Sequence, residues 1–362
     1  RGLTASESYV LVAEQGGNIL QVSELGSVGT VISGLPTVTA DSPEGPLTAG
    51  PSAVIRAGDT YYFILPEAED RAGFDSIYSV KPGGKPVLIA DLGPYEAANN
   101  LDGAKDETGA PDLVVNPYDL IMDGAGGLLV SASGMNAVVR ISPAGQITPY
   151  AVFKARQNPL FPGIGGPEMD QVPTGIERGP DGAVYVSTLT GFPFPNGGAR
   201  VYRLQDRNSD GDAMDDGEVT TYADGLTTAT NLAFDKDGSL LVTEFSTNFL
   251  EQAPGRLVRV VNGKISATVA APLISPTGVA VMNDGTVMVS QEFAGIVADA
   301  QSGARLAAAG GPPGGAPSGG ITPPSTGDGG LLGQSGGAWM AYTGLLMLVA
   351  GLGVGAYVSV KR

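Results

Sequence analysis

The chain of 362 residues contains no cysteine and no histidine, and only 6% of its residues are aromatic. Without cysteine there is no disulfide framework and no thiolate site. Without histidine, most zinc sites, imidazole general bases and histidine-ligated haem are excluded. A phosphate-binding loop with Lys-Ser/Thr and a Ser-His-Asp set are also missing. The common sequence signatures of catalysis are therefore absent, and we expect neither zinc nor haem.

Basic residues are also scarce. The chain has 20 Lys and Arg against 37 Asp and Glu, and its formal net charge is −17. Nucleic-acid binding requires a surface rich in Lys and Arg, so we expect no nucleic-acid partner. An acidic surface favours a soluble extracytoplasmic domain that binds cations or basic partners. The alternative is that the charge serves solubility alone.

A repeated pattern of about 50 residues is the main positive feature of the chain. In each copy a short apolar segment is followed by Asp-Gly and a second apolar segment, which is a strong hairpin signal. The clear copies contain Asp123-Gly124, Asp181-Gly182, Asp237-Gly238 and Asp284-Gly285. Weaker copies begin near Gly2 and Ala53. The repeat predicts an all-β fold, a six-bladed β-propeller over residues 1–302.

The two ends of the predicted ring carry a further expectation. Arg1 stands inside the first predicted strand, and the sixth blade is poor in outer strands. We therefore expect residues upstream of Arg1 in the mature chain. A strand from that segment would complete the sixth blade and protect its open edge.

The C-terminal part of the chain has a different composition. Residues 303–337 are rich in Gly, Pro, Ala and Ser and predict a flexible linker. Residues 338–362 contain an uncharged stretch long enough to cross a bilayer as one transmembrane helix, with two basic residues at its end. The positive-inside rule places the C-terminus in the cytoplasm and the propeller outside. Gly344, Gly351 and Gly355 form a small-residue face that would pack against other membrane proteins.

Several segments resemble one propeller family. They are residues 189–195 (LTGFPFP), 198–203 (GARVYR), 95–100 (YEAANN) and 116–120 (NPYDL). On these residues the chain resembles the ScyD/ScyE-type family, a relative of NHL-like six-bladed propellers. The resemblance implies a six-bladed propeller, usually secreted, without an established activity. The acidic segment 206–218 and the tail depart from the family, and residues 323–328 resemble a sortase sorting signal in which proline replaces the leading leucine.

Residues 206–218 form the densest polar cluster, between two predicted strands of one blade. The first half fits the calcium-loop pattern of acidic or amide side chains at alternate positions with glycine sixth. Oxygen ligands of this kind suit Ca²⁺, although the final acid falls one residue late. We predict a structural calcium ion here, with a solvated acidic loop as the alternative. The predicted ligands are Asp206, Asn208, Asp210, Asp212, Asp216 and Glu218.

A second group of polar residues lies at the ends of predicted inner strands, near the central tunnel. These candidates are Asn116, Asp119, Glu177, Asn231, Glu244 and Glu292. Six-bladed lactonases hold a catalytic Ca²⁺ with such residue types at this place, which is an analogy of fold alone. The alternative is that these groups satisfy backbone at strand ends and bind water.

The segment 191–196 is aromatic and stiffened by proline. Phe192 and Phe194 either form a rigid contact surface for a partner or cover the end of a blade core.

These features favour a single-pass protein of the bacterial cell membrane whose extracytoplasmic propeller is a non-catalytic binding or scaffold module, for example an accessory subunit of a membrane complex. One alternative is a calcium-dependent lactonase or hydrolase that works in the tunnel. Another is a sortase-processed cell-surface protein that binds a ligand.

Overall fold

The structure, a computed structural model, describes residues 1–308 apart from residues 7, 41–46, 69–70 and 106–107. Its main elements are six antiparallel sheets of four strands each, and in every sheet the strands follow one another in chain order. The predicted all-β, six-bladed propeller is therefore confirmed. The predicted transmembrane helix, the rest of the linker, and Gly344, Gly351 and Gly355 lie outside the described residues. Within the described part of the chain, no helix has the length and hydropathy needed to cross a membrane.

The strand bounds of the first three blades are as follows. The first blade has β1 (Leu3–Ala5), β2 (Tyr9–Glu14), β3 (Asn18–Ser23) and β4 (Val28–Ile32), and the hairpin β5 (Val38–Ala40) and β6 (Leu47–Ala49) follows it. The second has β7 (Ala53–Ala57), β8 (Thr60–Leu65), β9 (Ser76–Val80) and β10 (Val87–Asp91), followed by the helix α1 (Gly93–Asn99). The third has β11 (Pro117–Met122), β12 (Leu128–Ala132), β13 (Ala137–Ile141) and β14 (Ile147–Val152).

A short pair, β15 (Arg156–Gln157) and β16 (Glu168–Met169), leads into the other three blades. The fourth has β17 (Pro173–Arg178), β18 (Val184–Thr188), β19 (Ala199–Leu204) and β20 (Val219–Leu226). The fifth has β21 (Ala229–Phe234), β22 (Leu240–Glu244), β23 (Gly255–Val261) and β24 (Lys264–Leu273). The sixth has β25 (Pro276–Val281), β26 (Val287–Gln291), β27 (Ile296–Asp299) and β28 (Arg305–Ala308).

The Asp-Gly pairs form the turns between the first and second strands of blades three to six, as predicted. Each of these glycines has a positive φ, a conformation that costs glycine little. The values are 89° at Gly124, 81° at Gly182, 81° at Gly238 and 97° at Gly285. The Asp-Gly pair therefore marks the turn after which the second strand of each of these blades begins.

The apolar core is divided into six layers, one between each pair of neighbouring blades. The second strands β12, β18, β22 and β26 are buried along their whole length because both of their faces are covered. Phe63, which is fully buried between the first two blades, is an example of the large apolar side chains in these layers. Burying such a side chain contributes about 1.5–3 kcal/mol to stability. Apolar packing between neighbouring blades therefore stabilises the ring.

Side-chain hydroxyls join the blades at the start of the inner strands. The bonds run from Ser133 Oγ to Pro173 O (2.6 Å), Thr174 Oγ1 to Ala229 O (2.9 Å), Thr230 Oγ1 to Pro276 O (2.8 Å) and Ser290 Oγ to Arg1 O (2.6 Å). The last of these bonds joins the sixth blade to the first and closes the ring. Each hydroxyl thereby gives a carbonyl at the start of the next inner strand a hydrogen-bond partner.

The sixth sheet takes all four of its strands from residues 276–308. A strand from upstream of Arg1, which we expected to complete this sheet, is not needed for it. The sheet also continues past residue 302, where the predicted propeller ends. At Gly278 a Cβ atom would lie 2.8 Å from Arg1 O and 3.0 Å from Leu3 N, so this glycine lets the first and last inner strands approach.

Candidate functional site

The C-terminal halves of the inner strands surround a cavity of about 730 Å³. All six blades contribute to its lining, and it reaches solvent where Ser8, Arg56 and Gly58 are exposed. Three of the six predicted tunnel residues line it, namely Asp119, Glu177 and Asn231. A cavity of this size is within the usual range for small-molecule sites.

Asp119 is fixed at this cavity by the local irregularity of β11. A bulge between Pro117 and Asp119 shifts the register, so that Asp119 pairs with Ser131. The carboxylate accepts three hydrogen bonds, from Leu120 N at 2.9 Å, Ile176 N at 3.3 Å and Asn231 Nδ2 at 3.0 Å. The side chain is therefore held from three successive blades.

Asn231 occupies the equivalent position two blades away. It follows a bulge in β21 and pairs with Thr243, as Asp119 pairs with Ser131. Its Oδ1 accepts the N–H of Val279 at 3.2 Å, which turns its Nδ2 toward Asp119. The backbone of the sixth blade thus fixes which end of the amide faces the carboxylate.

Gly175 stands between these two residues in the fourth blade. A Cβ atom at Gly175 would lie 2.6 Å from Asn231 Cα, closer than real contacts allow. The side chains of Asp119 and Asn231 therefore meet across a blade that contributes no side chain at this level. This glycine is required by the close approach of the neighbouring strand.

Glu177 lies two residues further along the fourth inner strand. Its Oε1 accepts the N–H of Arg178 at 3.1 Å. Burial raises the pKa of Glu177 to about 7, and the charge of Asp119 acts in the same direction. Burial also raises the pKa of Asp119 to about 7, against the effect of its N–H donors. The cavity thus holds two carboxyl groups whose pKa values lie close to neutral pH.

The other three tunnel candidates lie at the opposite end of the inner strands and do not line the cavity. Asn116 directly precedes β11, and its N–H donates to Asp75 Oδ1 at 3.3 Å. Glu244 is fully buried at the end of β22, where it accepts the N–H of Thr227 and pairs with Arg256. Glu292 follows β26, with its Oε2 3.9 Å from Arg1 Nε. Glu244 therefore satisfies the backbone and an arginine, which matches the structural alternative.

The predicted calcium ligands lie in the connection between β19 and β20. Oxygens of five of the six accept hydrogen bonds from the loop itself: Asp206 from Ser209 N and Gly211 N, Asn208 from Asp210 N, Asp210 from Asp212 N, Asp212 from Met214 N, and Glu218 from Arg207 N and Asp215 N. Glu218 is 3% exposed. Within the described residues, no group of three or more acidic, histidine or cysteine side chains is arranged to hold a metal ion.

The electrostatics of the acidic loop are nevertheless those of a crowded anionic cluster. Loss of solvation and the charges of Asp210, Glu218, Asp212 and Asp216 raise the pKa of Asp215. The donor atoms are the hard oxygens that Ca²⁺ takes. Calcium binding here therefore stays a prediction.

The predicted aromatic contact residues pack mainly inward. Phe194 is 5% exposed, and its ring lies 4.8 Å from that of Phe249 in a T-shaped contact. It forms a small core with Val172 and Leu189, against which the half-buried Phe192 packs. The alternative that these rings cover the end of a blade core describes Phe194.

Among the polar side chains of the cavity that the sequence reasoning missed, two are hydrogen-bonded to each other. Tyr9 and Arg56 both line it, and Arg56 Nη1 donates to Tyr9 Oη at 2.7 Å. They belong to the first two blades, which lack the Asp-Gly pattern. The available signal was the Gly58-Asp59 turn, which places Arg56 at the end of an inner strand.

No protein-family model and no curated protein sequence matches this chain. Among solved structures, the chain is similar to virginiamycin B lyase from Staphylococcus aureus, with 17% identity, a TM-score of 0.43, and coverage of 75% of this chain and 72% of that one. A gluconolactonase from Xanthomonas campestris is 13% identical, with a TM-score of 0.48 and coverage of 80% and 82%. The calcium-binding protein regucalcin from Agrobacterium tumefaciens is 13% identical, with a TM-score of 0.48 and coverage of 80% and 81%. Similarity at this level says nothing about what this chain binds or does, and the resemblance to the ScyD/ScyE-type family stays a prediction.

Proposed function

We propose that the tunnel cavity is a small-molecule site with acid–base chemistry, and that the chain hydrolyses a compact ester or lactone. One observation carries this proposal: Asp119 and Glu177, from adjacent blades, line one cavity with pKa values of about 7. A general acid or base works best when its pKa lies near the working pH. Carboxyl groups perturbed in this way are enriched at functional sites.

The two carboxyl groups have different roles. Asp119 accepts three N–H donors, one from its own blade and one from each of the next two blades, so its oxygens are held within the ring. Glu177 accepts a bond from Arg178 N at one oxygen, which leaves the other oxygen to meet water or substrate. Glu177 is therefore the proton acceptor, and Asp119 is a positioning residue that accepts a hydrogen bond from Asn231. Burial is the main cause of the raised pKa of Glu177, and the charge of Asp119 adds to it.

The proposed reaction uses one water molecule. Glu177 takes a proton from water while the water oxygen adds to the carbonyl carbon of the substrate. When the ester C–O bond breaks, the same carboxyl group returns the proton to the departing oxygen. The amide of Asn231 has a second N–H beside the one that faces Asp119, and this N–H is the donor available to the developing oxyanion.

The donor atoms do not favour a calcium ion between Asp119 and Asn231. Ca²⁺ takes about 6–8 oxygen ligands, whereas Asn231 presents its nitrogen to Asp119 and its oxygen to Val279 N. The N–H of Val279 opposes rotation of the amide, because a rotated amide would bring two donors together. The proposed chemistry therefore uses the carboxyl groups themselves.

Hydrolysis of a panel of short esters and lactones by the purified protein tests the proposal. Glu177→Gln keeps an acceptor for Arg178 N but cannot take a proton, so we expect kcat to fall by roughly a hundredfold or more. Glu251→Gln, on an exposed loop far from the cavity, is the matched control and keeps full activity. A wild-type protein inactive on the whole panel, or equal activity in Glu177→Gln, refutes the proposal.

The membrane-bound scaffold role is a separate proposal that rests on the sequence of residues 338–362. Anchored in this way, the cavity would work at the extracytoplasmic surface of a membrane. Mild solubilisation followed by identification of co-migrating proteins tests that role directly. If Glu177→Gln is inactive but still co-purifies with the same partners, the two roles are independent.

A further inference from the structure

We propose that the substrate of this cavity carries an anionic group, which is bound at the rim by Arg56 with Tyr9 as its positioning residue. This inference rests on the proposed function and specifies its substrate class. Arg56 is the one basic side chain among the described residues that line the cavity. Its positive charge at the mouth of the cavity contrasts with the net charge of −17 of the whole chain.

The guanidinium group of Arg56 is held in place before any ligand arrives. Its Nε donates to Gly58 O at 2.7 Å, and its Nη1 donates to Tyr9 Oη at 2.7 Å. Its Cζ also lies 5.7 Å from the centre of the Tyr61 ring. A fixed guanidinium loses less entropy on binding than a mobile side chain. These contacts do not use its Nη2, whose N–H groups suit a carboxylate or a phosphate.

The position of Arg56 sets a distance for the ligand. Arg56 is near the end of the second inner strand, whereas Asp119 is in the first half of the third. About three residues of strand, at ~3.3 Å each, separate the level of Arg56 from that of Asp119. This corresponds to roughly 10 Å along the tunnel axis. Glu177 lies between them. Since Glu177 lies two residues beyond the level of Asp119, only about one residue, or ~3.3 Å along the tunnel axis, separates it from the level of Arg56. A ligand whose anionic group meets Arg56 therefore places a nearby carbonyl beside Glu177, across the tunnel from Arg56.

The rest of the lining supports a linear, partly apolar ligand. The fifth and sixth blades contribute apolar side chains between the level of Asp119 and the mouth of the cavity. Among them are Phe234, Val279 and Val281. The carboxyl groups belong to the third and fourth blades. An aliphatic chain with an ester at one end and an anion at the other matches the three parts of the lining. These are Arg56 at the rim, the carboxyl groups, and the apolar side chains of the fifth and sixth blades.

Binding of matched probes to the full chain tests the anion site without requiring turnover. The probes are the mono-N-methylamide of adipate and its neutral ω-carboxamide, measured by calorimetry. We expect the anionic probe to bind more tightly to the wild type, and Arg56→Gln to weaken it by roughly tenfold to a hundredfold. The neutral probe should change by less than about twofold. Arg200→Gln, which removes the same charge beside Asp224 on an outer strand, is the control and should leave both affinities unchanged.

Turnover gives a second readout. For monomethyl esters from succinate to suberate, Arg56→Gln should raise KM and leave kcat nearly unchanged, and Tyr9→Phe should give a smaller rise. Equal affinity of the anionic and neutral probes for the wild type, or equal loss of both in Arg56→Gln, overturns the anion site. If neutral esters are hydrolysed but the anionic probe does not bind, the inference fails and the proposed function stands. If binding follows Arg56 but Glu177→Gln keeps full activity, the proposed function fails instead.

Discussion

Replacing Glu177 by glutamine should remove activity and at the same time stabilise the fold at alkaline pH. The pKa of Glu177 rises from 4.5 to about 7 on folding, chiefly because of burial. The folded state therefore binds this proton more tightly than the unfolded state. Protonated Glu177 contributes stability that is fully present below pH 4.5 and is lost as the pH rises through 7. Glutamine does not titrate and so escapes the loss.

The size of the effect follows from the same shift. One pKa unit corresponds to about 1.36 kcal/mol, so the shift from 4.5 to about 7 sets an upper value of about 3.4 kcal/mol. Glu177 is only half-buried and faces the cavity, and solvent screening reduces this value. We expect Glu177→Gln to exceed the wild type by about 1–3 kcal/mol at pH 9 and to equal it at pH 4.

Urea unfolding of both proteins between pH 4 and pH 9 measures this difference. Asp75, whose pKa burial raises to about 6, titrates in both proteins and cancels in the comparison. The exposed control Glu251→Gln should follow the wild type at every pH. A difference between Glu177→Gln and the wild type that does not depend on pH refutes the linkage. A variant less stable than the wild type at pH 9 refutes the conclusion that burial destabilises the Glu177 carboxylate.

Three further predictions concern other parts of the chain. Gly175→Ala should lower the free energy of unfolding by about 1–3 kcal/mol and reduce ester hydrolysis, because its Cβ would meet Asn231 Cα at 2.6 Å; a variant as stable and active as the wild type contradicts the close approach. If calcium binds the folded loop, it should raise the melting temperature of the wild type but not that of Asp210→Ala, and calorimetry without heat in the wild type rules out the ion. The full chain should sediment with membranes and a chain ending at residue 337 should not; a full chain found in the soluble fraction counts against the anchor.

The scaffold could be predicted from the sequence because its signals are local. Asp-Gly turns and apolar second strands each reflect the conformation or burial of a few neighbouring residues. Three of the six tunnel candidates line the cavity, and strand direction explains the position of two that do not. Glu244 and Glu292 stand at or just past the ends of second strands, which run antiparallel to the inner strands. They therefore lie at the tunnel end where inner strands begin, away from Asp119 and Glu177.

Equivalent positions in the repeated blades distinguish the two groups of carboxylates. One inner-strand position in each of blades three to six pairs with the residue two before a Ser or Thr of the second strand (Ser131, Ser187, Thr243 or Ser290). The residues at this position are Ile121, Glu177, Ala233 and Ala280. Only Glu177 is charged in this set. Two residues deeper, Asp119 and Asn231 alternate with Gly175 and Gly278. At both glycines an added Cβ atom would lie within 3.0 Å of the neighbouring inner strand. The repeat therefore identifies the scaffold, and the residues that depart from the repeat at inner-strand positions identify the site. Glu244 ends a second strand and would not be selected by this criterion, whereas Asp119, Glu177 and Asn231 would.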